Sequence, residues 1–324
     1  MEIGMNLGKL VSLMVRNILC HAPSLHLVPL PERPEGISLF IETKNPEWID
    51  LSLRSVKDFA DEIVVVDTSL DDTPERILNV AEKYSLNVKL IRMEDNILSP
   101  LSNEETLTKQ CNLALKNTTY NWVFHWGSDF IARTSGPYDI KKLREKILNL
   151  DSSKYYMVYL SFVNLHCDVF HTIPGGVGLS GEAHLFTYSK NLEFKKVKGF
   201  ARLELPKYYK PLYINDVFIF HLATVKNSRH LLYHWYWRDW RRLGDYTRFP
   251  TIVEYTKYRL KLDYGISDLS EGEKIIVKEL CKKIIPYDKQ KYGEYPELLK
   301  EELENPRYRV IYKDGKIVGR NDVL

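Results

Sequence analysis

Ile37-Ser38-Leu39-Phe40-Ile41-Glu42-Thr43-Lys44-Asn45 and, a short helical stretch later, Asp61-Glu62-Ile63-Val64-Val65-Val66-Asp67-Thr68-Ser69-Leu70-Asp71-Asp72-Thr73-Pro74-Glu75 decide the fold of this 324-residue chain. Both apolar runs are short and lack alternation, the pattern of strands covered on both faces. Between them, Trp48, Leu51, Leu53, Val56 and Phe59 follow a helical pattern. Thr73-Pro74-Glu75 opens a further helix, with Thr as cap and Pro in the first turn; Ile77, Leu78, Val80 and Ala81 supply its apolar positions.

Outward from there the same alternation continues. Asn87–Ile91 reads as a third strand, residues 104–116 as a helix, and Trp122–Trp126 as a fourth strand. Strands alternating with helices predict a mainly parallel sheet flanked by helices. Such sheets bind ligands beyond the carboxyl ends of their strands, which singles out Glu42–Asn45, Asp67–Asp72 and Gly127–Asp129. The second half reads differently, with strands at Tyr155–Val163, Ala183–Tyr188 and Val217–Phe220 and a glycine-rich loop, Pro174–Gly181. From Asn227 the pattern is helical and aromatic, Glu271–Glu304 is charged and helical, and Arg307–Val318 reads as a hairpin around Lys313-Asp314-Gly315.

Upstream of Ile37, Pro23, Pro29, Pro31 and Pro34 mark an extended linker over His21–Gly36. Residues 7–19 form an amphipathic helix that either packs on the body or lies on a membrane surface. No apolar run reaches the length of a membrane span, and no small-residue cleavage site follows the helix. The expected divisions are 1–36 for helix and linker, 37–226 for the main domain and 227–324 for a mainly helical C-terminal extension.

With 46 Lys+Arg against 43 Asp+Glu the net charge is only +3, so no nucleic-acid partner is expected. Cys20, Cys111, Cys167 and Cys281 show no CxxC spacing, and we expect reduced thiols in a cytoplasmic protein.

The stretch 37–73, with Thr43-Lys44-Asn45, Asp61–Thr68 and Ser69-Leu70-Asp71-Asp72-Thr73-Pro74-Glu75, resembles the opening of the family-2 nucleotide-sugar glycosyltransferases, with a turn one residue shorter than usual. The resemblance covers residues 37–135 well and 180–240 more loosely. It implies a GT-A (Rossmann-like) fold, with residues 37–135 as the donor half and 136–226 as the acceptor half. It also implies transfer of a sugar, with inversion, from a UDP- or GDP-sugar to a glycan or lipid-linked acceptor. Under it, Thr43, Asp67 and Asp71 serve the nucleoside, although Asp71 is equally read as a turn residue.

In that family a helix with an Arg/Lys-x-x-Asn pattern, here Lys109–Asn112, precedes a strand ending in Asp-x-Asp, which holds a divalent cation (Mn²⁺ or Mg²⁺) on the donor diphosphate. Here Gly127 stands at the first carboxylate position and only Asp129 remains. A leaving diphosphate needs its charge neutralised, so His221 is the candidate second metal ligand, with Lys226 and Arg229 gripping the diphosphate and Lys109 of the helix motif among the nucleotide-sugar-binding residues. His221 is equally read as a structural histidine. Inverting transfer needs a base for the acceptor hydroxyl. Glu182, after the glycine-rich loop, is slightly preferred over Glu204, with Asp168 a third choice. Trp235, Tyr236, Trp237 and Trp240, interleaved with Arg238, Arg241 and Arg242, suit either a membrane interface, with peripheral contact, or a packed helix. Two rivals stand beside this reading. One is a lapsed member that binds nucleotide sugar without turnover; the other is a nucleotidyltransferase, disfavoured because Glu42–Pro46 contains no glycine.

Overall fold

The computed structural model describes residues 7–30, 32–190 and 192–323. Pro31 and residues 1–6 of the expected N-terminal segment lie outside the described residues, as do the side chains of residues 7–11 and 13. Helix α1 (Leu7–Leu19) precedes β1 (Ile37–Thr43), α2 (Ile49–Ser55), β2 (Glu62–Asp67), α3 (Thr73–Tyr84), β3 (Val88–Arg92), α4 (Glu104–Lys116) and β4 (Trp122–His125). Next come β5 (Phe130–Ala132), α5 (Ile140–Leu148), β6 (Tyr156–Asn164), β7 (His171–Thr172), β8 (Val177–Leu179), β9 (Leu185–Thr187), β10 (Phe194–Val197), β11 (Phe200–Leu203) and β12 (Lys210–His221). The chain closes with α6 (Ser228–Leu243), α7 (Ile252–Tyr264), α8 (Leu269–Cys281), β13 (Ile285–Pro286), α9 (Lys289–Tyr292), α10 (Lys300–Glu304), β14 (Val310–Lys313) and β15 (Lys316–Arg320).

The central sheet runs β3-β2-β1-β4-β9-β6-β12-β5, with β8 added on β6. Its β3–β2–β1–β4 half is parallel, β6 and β12 are parallel to each other, and β9 joins the two groups antiparallel to β4 and β6. This is a mainly parallel, Rossmann-like mixed sheet. Period-2 side chains send Leu39 and Ile41 to one face, where α2, α3 and α5 cover them. Phe40, Val64 and Val66 face the other way, against α4 and Phe194 of the β10–β11 hairpin. Complete burial of β2 and near-complete burial of β1 fits the unalternating sequence, at about 1.5–3 kcal/mol for each large apolar side chain buried.

Helix α1 matches its expected span and docks through Arg16, whose guanidinium donates to the Pro206 carbonyl at 2.8 Å. Met14 and Ile18 remain exposed. No helix among the described residues is long and apolar enough to cross a membrane. Helix α6 is a packed helix: Leu232, Tyr236 and Trp240 are buried against α7 and α8.

Three expectations need correcting. The Glu271–Glu304 stretch is not one helical tail, because Pro286, Gly293 at φ +85° and Pro296 divide it. The strand expected at Val217–Phe220 begins at Lys210, before a β-bulge around Asn215-Asp216 that interrupts the apolar pattern. Cys167 and Cys281 form a disulfide rather than free thiols, their Cα atoms 6.0 Å apart across 114 residues. Only tertiary structure brings these two positions together, so spacing carried no sign of it; Cys20 and Cys111 are free and buried.

Candidate functional site

Register at the carboxyl edge sets the site. β1 lies between β2 and β4, pairing Thr43 with Asp67 and Phe40 with His125. The chain leaves β4 through Trp126, whose indole donates to Ser52 Oγ at 2.8 Å, while that hydroxyl donates to the Gly127 carbonyl at 3.0 Å. β5 then pairs Phe130 with His221 at the end of β12, and the Leu222 amide donates to the Asp129 carbonyl at 3.0 Å. Asp129 and His221 are therefore neighbours by backbone pairing.

Lys226 is delivered to the same place by a braced segment. Trp48 donates to the Val225 carbonyl, the Asn227 amide donates to Glu47, and the buried Arg320 guanidinium donates to the Lys226 carbonyl at 2.7 Å. The Lys226 ammonium reaches Asp129 Oδ2 at 2.9 Å, and His221 Nε2 lies 3.5 Å from that oxygen. Burial opposes ionisation of Asp129, but the charges of Lys226 and His221 outweigh it and hold the carboxyl well below its ordinary range.

Asn164 orients His221. Its amide nitrogen donates to the Gly176 carbonyl at 2.8 Å, so its oxygen faces His221 Nδ1 at 2.9 Å and must accept from it. That hydrogen bond leaves Nε2 as the ring nitrogen facing Asp129. An imidazole oriented by a hydrogen bond through its other nitrogen, beside a carboxylate, is a donor pair suited to a divalent cation. The residues fit such an ion, with Lys226 as the competing cation.

Asp129 and Lys226 line a cleft of about 700 Å³ open to solvent. Its floor includes Glu42, Thr43 and Gln110; Trp48 and Leu107 are apolar, and α6 contributes His230, His234 and Trp237. The Thr43 hydroxyl is buried without a hydrogen-bond partner. Across the Glu42–His125 hydrogen bonds, both 2.8 Å, lies a second cleft of about 1290 Å³ that contains both Glu182 and Glu204, with Arg16 of α1 and His184. His184 also lines a cavity of about 490 Å³ shared with His221.

The remaining candidates are placed elsewhere. Asp67 is fully buried, accepting from Ser69 and paired with Arg92; burial raises its pKa against those partners. Asp71 is exposed and accepts from the Thr73 amide at 3.1 Å, a turn contact. Lys109 pairs with Glu105 on the outer face of α4, and Arg229 pairs with Glu273 of α8; neither lines the cleft. Asp168 is buried and held by His171 and the Val310 amide. Conversely, His230 and His234 were missed. Their i, i+4 spacing on one helix face was the available signal.

No family model matches the chain, and no curated protein matches it in sequence. Two solved structures are similar over part of it. A 4-diphosphocytidyl-2C-methyl-D-erythritol synthase from Anaerococcus prevotii shows 15% identity and a TM-score of 0.28, over 46% of this chain and 63% of that one. HddC from Yersinia pseudotuberculosis shows 12% identity and a TM-score of 0.28, over 47% and 76% respectively. The chain thus spans less than two thirds of the first structure's length.

Two predictions follow from this geometry. Lys226→Met leaves the Asp129 charge buried without its ammonium and should destabilise the fold by about 3 kcal/mol, whereas Lys226→Met with Asp129→Asn should recover most of that loss. Urea unfolding of both variants checks it; equal loss in the two would contradict the ion-pair account. The second concerns pH. Burial, the leading cause at each, lowers the pKa of His184 to about 3, of His166 to about 4 and of His230 to about 3. Below the unfolded-state value these rings bind protons only when the chain unfolds. Their contribution is therefore intact above about pH 6.5 and is lost as pH falls toward 4, at up to about 1.4 kcal/mol per pH unit for each ring. His184→Gln should flatten the stability–pH slope between pH 6 and 4.5 by about one such increment; an unchanged slope would show that His184 titrates normally.

Proposed function

We propose that the chain is a glycosyltransferase that uses a UDP- or GDP-sugar and a glycan or lipid-linked acceptor. The observation that carries this reading is the convergence of Asp129, His221 and Lys226. They come from three separate segments and meet at the carboxyl edge of the sheet, beside a cleft with the unpartnered Thr43 hydroxyl on its floor. Residues 37–135 form the donor half and 136–226 the acceptor half. The 227–324 extension is not a bystander, since His230, His234 and Trp237 line the donor cleft.

In this mechanism the donor diphosphate rests against Lys226, and Asp129 and His221 would hold a divalent cation. Such a cation supplies charge neutralisation for the leaving nucleoside diphosphate. Thr43 takes the nucleoside; Asp67 and Asp71 serve it indirectly, by fixing the turn after β2. Lys109 and Arg229 would need to leave Glu105 and Glu273 to reach phosphate, so Lys226 is assigned that task. The acceptor enters from the cleft holding Glu182 and Glu204, one of which takes the hydroxyl proton. The acceptor oxygen then forms its bond to the anomeric carbon as the bond to the diphosphate breaks, with inversion.

A second reading has its own support. A Cβ at Gly127 would sit 2.8 Å from the Phe130 ring and 2.9 Å from Asp129 Oδ1, so a carboxylate there would require rearrangement. With Lys226 already on Asp129, the chain could bind nucleotide sugar without turning it over.

Thermal stabilisation by UDP-, GDP- and dTDP-sugars, with and without Mn²⁺, tests the donor assignment on the wild type and on Asp129→Ala. A bound donor at a hundredfold excess over Kd adds about 2.7 kcal/mol. We predict stabilisation by one nucleotide class that weakens without Mn²⁺ or Asp129. Absence of any shift would remove the donor site. A shift without release of nucleoside diphosphate would favour the binding-only reading, and formation of nucleoside triphosphate when pyrophosphate is added to the nucleotide sugar would point to nucleotidyl transfer.

A further inference from the structure

The outer side of α6 carries an open groove of about 1280 Å³ whose walls include Trp235, Trp237, Arg238, Arg241 and Arg242. All three guanidiniums surround the Phe200 ring at the tip of the β10–β11 hairpin, at 5.5, 5.2 and 5.7 Å from its centroid. None of them has a carboxylate within ion-pair distance among the described residues. The acid in the groove, Asp239, faces Arg259 at 3.6 Å.

Arg241 is the telling member. It is only 5% exposed, its guanidinium lies 3.8 Å from the centre of the Trp237 ring, and its Nε has no hydrogen-bond partner. Glu104, the main acidic influence on it, is engaged by the Gly199 amide at 2.8 Å and by the Lys196 ammonium at 3.8 Å. Burial lowers the Arg241 pKa to about 10, which leaves it charged at neutral pH. A buried cation with donors unused is unfavourable unless an anion completes it.

We propose that this groove is a binding site for a sugar phosphate, with the arginines taking the phosphate and the indole of Trp235 packing against the sugar ring. Guanidiniums match phosphate oxygens by paired, charge-assisted hydrogen bonds. Trp235 offers a large apolar surface that is 42% exposed. The groove is distinct from the donor cleft, although His234 and Trp237 line both. The inference does not depend on the glycosyltransferase reading.

Isothermal titration with glucose 6-phosphate, inorganic phosphate and glucose tests it on the wild type, on Arg241→Met and on Arg238→Ala with Arg242→Ala. The exposed pair keeps the test informative if Arg241→Met fails to fold. We expect glucose 6-phosphate to bind more tightly than phosphate, glucose not to bind, and the arginine variants to lose about tenfold or more in affinity for glucose 6-phosphate. Asp129→Ala, which disables the donor cleft, should leave that affinity unchanged, which separates this site from the donor assignment. Unchanged affinity in the arginine variants would overturn the proposal. So would arginine-dependent capture by phosphatidylglycerol vesicles with no binding of glucose 6-phosphate, since the groove would then serve a lipid headgroup.

Discussion

The register of Ile37–Thr43 between Glu62–Asp67 and Trp122–His125 is the constraint on which the rest of the structure depends. Because β1 is buried on both faces, slipping its pairing by one residue would exchange the apolar sets belonging to α2 and α4. In the observed register the polar residues Glu42, Thr43 and Lys44 emerge together at the carboxyl edge. Lys44 is then fixed by a buried pair with Asp95 at 2.7 Å, which holds the segment before α4 against the end of β1. Two braces follow from this frame. Trp126, through Ser52, sets the path of Gly127, and Trp48 sets the path of Val225. Asp129 and Lys226 lie just beyond these braced residues, so their ion pair is positioned by buried indoles rather than by flexible side chains alone.

The same braces explain the departure at Gly127. The sharp exit from β4 brings Phe130 and Asp129 close to its α-carbon, and the position tolerates little more than hydrogen. Under the proposed function, neutralising the leaving diphosphate falls to the Lys226 ammonium and to the cation that Asp129 and His221 would hold. Asn164 links that imidazole to the glycine-rich loop through Gly176. The loop after β6 therefore acts on the His221 ring by hydrogen bonding, and movement of that loop would change how His221 faces Asp129.

Much of the fold was legible because apolar runs without alternation, such as Ile63–Val66, have few ways to be buried. The closing hairpin was legible for a related reason, since its turn residues Lys313-Asp314-Gly315 act locally. What sequence could not disclose were long-range facts. Lys109 and Arg229 carry the right charge, but the helical phase of α4 and the packing of α6 on α8 turn them to Glu105 and Glu273. Asp67 sits at the expected strand end, yet Arg92 from β3 takes its carboxylate. Gly127 was visible as a missing carboxylate, but its steric cause needed the Phe130 ring. The Cys167–Cys281 disulfide belongs to the same class, joining the loop after β6 to α8 across 114 residues.

A crystal structure of the protein with UDP or GDP and Mg²⁺ would test the central claim most directly. The account predicts both phosphates within hydrogen-bonding reach of Lys226, the ion on Asp129 Oδ2 and His221 Nε2, and the nucleoside against Thr43. A nucleotide bound elsewhere, with the Asp129–Lys226 pair undisturbed and no ion at His221, would contradict it.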